Sequence, residues 1–214
     1  PLDSKSLSAN TVTAFSGDSL NTLWVGTYGG GLNAFNRATG EFRAFRKDPS
    51  DPHSLGDDRV MSLLVDSKGV LWVGTLNSGL DRFDPESESF EHFTHDPKDP
   101  TSISSNGVTT IYEDSKGRFW LGTYRGGLNL MDRASGTCVR FTHDPDDPSS
   151  LGSNRVLSIQ EDAEGRIWVG TDGGGLSRFV EETSSFETLL RPPKTSNRFP
   201  PPPLSATHPP PHRP

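Results

Sequence analysis

The chain has 214 residues, with 21 Lys and Arg, 28 Asp and Glu, 22 Gly, 18 Pro and 30% hydrophobic residues. That is length for one domain or two small ones, and too little core material for a long helical bundle. Its 47 Leu, Ile, Val and Phe lie just above the level of roughly 20% below which chains stay disordered. The first 190 residues hold 17 basic and 28 acidic side chains, an acidic balance that excludes nucleic acid and anionic membrane surfaces as partners.

A repeat organises the chain from its first residues. The four Trp are Trp24, Trp72, Trp120 and Trp168, each 48 residues from the next. Gly26, Gly74, Gly122 and Gly170 keep that step, as do Thr27, Thr75, Thr123 and Thr171, and Asp18, Asp66, Asp114 and Asp162. Four units follow, at about 8–55, 56–103, 104–151 and 152–190. Ser6-Leu7 aligns with Ser54-Leu55, so the chain enters just ahead of the first unit.

The second unit serves to read the local pattern. Val60 to Val65 is an apolar, partly β-branched strand, Asp66-Ser-Lys-Gly69 a turn, and Leu71 to Thr75 a second strand. Asn77-Ser-Gly79 turns the chain again, Leu80 to Phe83 is a third strand, and Phe90 to Phe93 a fourth. Connections this short suit antiparallel neighbours and leave no room for a crossover helix. The linkers Asp48-Pro-Ser-Asp-Pro-His-Ser-Leu55, Asp96-Pro-Lys-Asp-Pro-Thr-Ser-Ile103 and Asp144-Pro-Asp-Asp-Pro-Ser-Ser-Leu151 are stiff spacers ending in an apolar peg. A single twisted sheet of this size cannot bury both faces, whereas stacked sheets can. The expected fold is therefore all-β: a propeller-type array of four 48-residue, four-stranded antiparallel blades over residues 1–190. Four blades either close a small ring or form an open arc, and the open arc should self-associate through its exposed faces.

Residues 191–214 hold ten Pro and no acid, and Pro200 to Pro203 could not sit in an interior strand, so this tail is expected to be disordered or polyproline-like. Ser196-Asn197-Arg198 echoes Ser153-Asn154-Arg155, as if a fifth unit began, and truncation of a longer repeat array is the favoured account. No apolar run approaches 18 residues and no N-terminal segment reads as a signal peptide.

Ser54-Leu-Gly-Asp-Asp-Arg-Val60, Asp66-Ser-Lys-Gly, Leu71-Trp-Val-Gly-Thr75, Gly79-Leu-Asp-Arg-Phe-Asp84 and the His-Asp-Pro linker resemble the two-component regulator propeller repeat over roughly residues 4 to 190. The resemblance implies a periplasmic or extracellular sensor region, often for polysaccharide breakdown products, attached in that family to an immunoglobulin-like domain, a membrane span and a histidine kinase. None of those other parts occurs in these 214 residues. The repeat is also loosely similar to that of streptogramin lyases, which use a rim histidine and a divalent metal, and a lyase or hydrolase is the alternative reading.

Residues alike in all four units answer a need that recurs four times, so the Trp are expected to pack between blades and the Gly to meet strand and turn geometry. Asp18 and its equivalents are expected to accept backbone N–H groups in a turn, with too few oxygens for calcium. Ligand-contacting residues should lie where the units differ. Tyr28, Asn77, Tyr124, Arg125 and Asp172 follow the second strands, while Arg59 and Arg155 end linkers where the other units have Thr11 and Gly107. If the strands run outward from the axis, these seven ring one mouth, and their aromatic, amide and guanidinium groups suit an acidic sugar. His53, His92, His95 and His143 form no metal-ligand cluster, and Cys138 replaces Phe42, Phe90 and Phe186 at a core position. No Ser-His-Asp constellation, Walker loop or dinucleotide fingerprint appears, so neither catalysis nor a cofactor is expected.

Overall fold

Alternating apolar and polar residues between glycine-rich turns give sixteen short strands in a computed structural model that describes residues 5–18 and 21–189. Blade 1 is β1 (Val12–Gly17), β2 (Thr22–Thr27), β3 (Gly31–Asn36) and β4 (Phe42–Phe45). Blade 2 is β5 (Val60–Val65), β6 (Leu71–Thr75), β7 (Leu80–Asp84) and β8 (Ser89–Phe93). Blade 3 is β9 (Val108–Glu113), β10 (Phe119–Thr123), β11 (Leu128–Met131) and β12 (Cys138–Phe141). Blade 4 is β13 (Val156–Glu161), β14 (Ile167–Thr171), β15 (Gly175–Val180) and β16 (Ser185–Thr188). Each blade is one antiparallel sheet with its strands in sequence order. The expected tail, 191–214, lies outside the described residues. No helix among the described residues is long and apolar enough to cross a membrane.

The fixed interval from Asp to Trp has a local cause. Asp66 Oδ1 accepts the N–H groups of Lys68 and Val70, each at 2.9 Å, and its Oδ2 accepts the Trp72 indole N–H at 3.0 Å. Asp114 and Trp120 repeat the indole bond at 2.8 Å, and Asp162 and Trp168 at 2.7 Å. One carboxylate thus closes the turn and satisfies an indole donor, which would be costly to bury alone. The linkers also close on themselves, since the Ser54, Ser102 and Ser150 hydroxyls donate to the carbonyls of Asp48, Asp96 and Asp144 at 3.0, 3.1 and 2.9 Å. His95 and His143 direct Nδ1 at the carbonyls of Ile103 and Leu151, at 2.8 and 2.7 Å, so they serve the linkers.

Blades stack through their first strands, β1 against β5, β5 against β9 and β9 against β13, which makes the first strand of each sheet the inner one. Three apolar clusters fill the three joints. Leu32, Leu55, Val60 and Phe83 join blades 1 and 2; Trp72, Ile103, Phe119 and Met131 join blades 2 and 3; Trp120, Leu151, Ile167 and Phe179 join blades 3 and 4. The repeated Gly has a sharper reason than strand geometry. A Cβ at Gly26 or Gly122 would lie 2.5 Å from a methyl of Val60 or Val156, and one at Gly74 would lie 2.8 Å from the Val108 carbonyl. The next blade's inner strand presses on each of these positions. No comparable packing joins β13 to β1 among the described residues, and Phe15 on β1 is 74% exposed. Among the described residues the four blades form an open arc.

Candidate functional site

The loops after the second strands and the ends of the linkers meet at one rim of the arc. The N–H groups of Tyr28, Leu76, Tyr124 and Asp172 donate to the carbonyls of Thr11, Arg59, Gly107 and Arg155 at 2.8 to 3.0 Å. The first three loops also reach the next blade, because Gly29, Gly79 and Gly127 donate to the carbonyls of Asp58, Asn106 and Asn154 at 2.9 to 3.0 Å. Gly79 and Gly127 have φ of 84° and 79°, and a Cβ at either would lie 2.2 Å from the carbonyl oxygen of Phe93 or Phe141. Only glycine fits there. The Thr75 and Thr123 hydroxyls close the same loops on the Gly79 and Gly127 carbonyls at 2.9 Å.

All seven residues expected at the mouth lie on this rim, but they are not equivalent. Arg59 sits between Asp57 and Asn77: Asp57 takes its Nε at 3.0 Å and its Nη2 at 2.9 Å, while the Asn77 side-chain oxygen, in its hydrogen-bonding orientation, accepts from the same guanidinium. The Asp57 carboxylate raises the Arg59 pKa above the ordinary guanidinium value. Tyr28 pairs with Arg59 through an isolated antiparallel bridge. Arg155 Nη1 binds Asp172 Oδ2 at 2.5 Å. Two of the three arginines are thus already neutralised from within the chain.

Arg125 has no carboxylate partner among the described residues and lies over the Tyr124 ring, 5.3 Å from its centroid. Tyr124 and Arg125 face Asn77, Leu76, Ser105 and Asn106 across a cleft of about 500 Å³ between blades 2 and 3. Asn106 is fixed there by its Oδ1, which accepts the His95 N–H at 2.7 Å, leaving its amide nitrogen for other partners. Ser105 and Asn106 were hidden in the sequence, since they read as linker; the signal that locates them is their place two residues and one residue before Gly107. The cleft offers a ring face, an amide, a hydroxyl and one free cation, groups that bind a polar, anionic small molecule.

Away from the rim, Asp81 is buried and accepts the Gly56 N–H at 2.8 Å and His92 Nδ1 at 2.7 Å, while His92 Nε2 lies 3.0 Å from the Pro52 carbonyl. Both imidazole nitrogens face acceptors, so the protonated ring is favoured and the bond to Asp81 pushes the His92 pKa above its ordinary value. The equivalents of Asp81 are Asn33, Asn129 and Ser177, which hold their own linkers in the same way, so the pair serves structure. Burial pushes the Cys138 thiol up to about 12, and the residue packs in the joint between blades 2 and 3. Among the described residues no group of three or more His, Cys, Asp or Glu side chains is placed to hold a metal.

Comparisons with known proteins bear on the fold and the repeat. The curated proteins hold no match to the chain. The extracellular domain of a hybrid two component system from B. thetaiotaomicron matches with a TM-score of 0.75 and 25% identity, over 86% of this chain and 25% of that one. This chain therefore spans about a quarter of that structure. Virginiamycin B lyase from Staphylococcus aureus matches with a TM-score of 0.59 and 15% identity, over 86% of this chain and 56% of that one. An auxiliary nutrient binding protein from Bacteroides ovatus matches at 0.57 and 12%, over 83% and 41%. At those identities the last two share the fold alone. The two component regulator propeller model matches residues 6–29, 54–77, 102–125 and 150–173, segments that contain all seven rim residues. Four matches at a constant 48-residue step, each spanning the inner two strands of a blade, place the chain in the two component regulator propeller repeat family.

Proposed function

We propose that this chain is the ligand-sensing propeller segment of an extracytoplasmic two-component sensor and that it takes an acidic oligosaccharide in the cleft between blades 2 and 3. The observation that carries this reading is Arg125, without a carboxylate partner and held over Tyr124 beside Asn77 and Asn106. A guanidinium binds a sugar carboxylate or sulfate bidentately, a tyrosine ring covers a pyranose face, and amides fix hydroxyls. The extracellular setting and the signalling role are supported by the B. thetaiotaomicron sensor domain. The lyase reading has only a shared fold behind it.

Titration calorimetry with charged and neutral oligosaccharides of equal length tests the proposal. Replacing Arg125 by Ala is expected to weaken the charged ligand at least about tenfold, or ~1.4 kcal/mol, and to leave the thermal midpoint unchanged. Arg155→Ala is expected to have a smaller effect on binding, because Asp172 already occupies that guanidinium. Equal affinity of wild type and Arg125→Ala for the charged ligand would remove the cleft from consideration.

A further inference from the structure

The three joints between blades are not packed alike. Where blades 1, 2 and 4 carry Phe35, Phe83 and Phe179 on the third strand, blade 3 has Met131; where they carry Phe42, Phe90 and Phe186 on the fourth, it has Cys138. In the joint between blades 1 and 2, the Phe83 and Phe90 rings lie 5.1 Å apart, and both pack on Phe45, at 5.2 and 6.2 Å. The joint between blades 3 and 4 repeats this cluster, with Phe179 and Phe186 5.5 Å apart and both on Phe141, at 5.5 and 5.6 Å. Between blades 2 and 3 both of these rings are missing. Phe119, where the other blades have Leu23, Leu71 and Ile167, returns one ring to the second strand, 4.9 Å from Trp72. The loss therefore falls on the outer strands of this joint.

A cavity of about 620 Å³ opens there, lined among others by Phe119, Met131 and Cys138, with Lys68, Thr101 and Arg133 around them. Apolar walls of this kind accept a benzene-sized ring, and the other two joints show the arrangement such a ring adopts against its aromatic neighbours. Burial keeps the Cys138 thiol uncharged, so it acts as part of the apolar wall. The polar groups at the edge differ in what they have left to offer. Arg133 is engaged by Asp66 and Glu113, each at 2.8 Å, and the Asp132 carboxylate accepts the N–H groups of Ala134 and Ser135 at 2.8 and 3.0 Å. The Lys68 ammonium has no ion-pair partner among the described residues. An apolar seat bordered by one unpaired cation favours a ring that carries a negative charge.

We propose that this cavity binds a small aromatic carboxylate, its ring in the space of the missing phenylalanines and its carboxylate on Lys68. The cavity lies at the Phe119 end of β10, whereas the rim cleft lies beyond Thr123 at the other end, so the two sites are separate.

Titration calorimetry of the 214-residue chain with benzoate, benzyl alcohol and benzylamine as probes tests this. Benzoate is expected to bind most tightly and benzylamine most weakly. Cys138→Phe restores the residue of the other three blades and should weaken benzoate at least about tenfold while the thermal midpoint holds or rises. Met131→Phe should do the same by filling the cavity from the third strand, which keeps the test open if one of the two variants fails to fold. Lys68→Gln, at an exposed position, should weaken benzoate and leave benzyl alcohol unchanged. Absence of benzoate binding to the wild type, or undiminished binding to both folded phenylalanine variants, overturns the proposal. Benzylamine binding as tightly as benzoate overturns the assignment of Lys68. Benzoate binding that is lost in Arg125→Ala and kept in Cys138→Phe places the probe in the rim cleft and overturns the second site.

Discussion

Ile111 and Ile159 are 7% and 6% exposed, while Phe15, at the same place in the first repeat, is 74% exposed. The residue type and strand position are alike, and only the presence of a preceding blade differs. The interior joints and the two ends of the arc therefore teach that burial in a repeat array belongs to the joint between units. Aromatic contacts make the same point. Trp24 packs edge-on against Phe83 at 5.2 Å, and Trp120 against Phe179 at 5.1 Å, whereas Trp168 has no following blade to meet among the described residues.

The sharpest way to break this comparison is to truncate equivalent tryptophans. Trp120→Ala should cost about 3 to 5 kcal/mol, because it removes a fully buried ring together with its indole bond to Asp114. Trp168→Ala, measured by denaturant melts at low concentration, should cost less than about half of that; equal losses would show that the ends are buried as the joints are. Glycine provides the next contrast. Gly122→Ala drives a Cβ to 2.5 Å from Val156 and should cost about 1 to 3 kcal/mol, while Gly170→Ala meets chiefly the movable Ser158 hydroxyl and should cost under about 1 kcal/mol.

The smallest effect expected is a pH dependence confined to blade 2. Asp81 and the Pro52 carbonyl raise the folded pKa of His92 above its unfolded value. Its contribution is then fully present below about pH 6.5, the unfolded value, and is lost as pH rises through the folded pKa. The stability difference between wild type and His92→Gln should accordingly shrink from mildly acidic to alkaline pH. A difference that grows with pH would show that a neutral imidazole makes the pair.

Much of the fold was legible because the repeat carries it. The strands Val60–Val65 and Leu71–Thr75 follow directly from β-branched runs between glycine turns, and the 48-residue step of Trp and Asp requires four similar sheets. The rim was legible as a place, since the loop and linker positions that vary among repeats lie at one end of every blade. Its electrostatics were not. Arg59, Arg125 and Arg155 read alike as cations, but Asp57 and Asp172 cancel two of them through loop conformations that residue identity does not encode. The Asp81–His92 pair was equally hidden, because two strands eleven residues apart had to pair in register before the imidazole met the carboxylate.

The sequence by itself determined sixteen strands in four equal blades, the turns that close them, and the apolar residues every blade would turn toward a neighbour. Only the tertiary structure decided how the three joints between blades pack, that Gly26, Gly74 and Gly122 are required by the next blade's inner strand, and that among the described residues one rim arginine of three has no carboxylate partner. The division has a physical reason: turn chemistry and the ladders of a meander join residues close along the chain, none farther apart than neighbouring strands such as Val12 and Thr27, whereas burial and charge pairing depend on which surfaces meet across space.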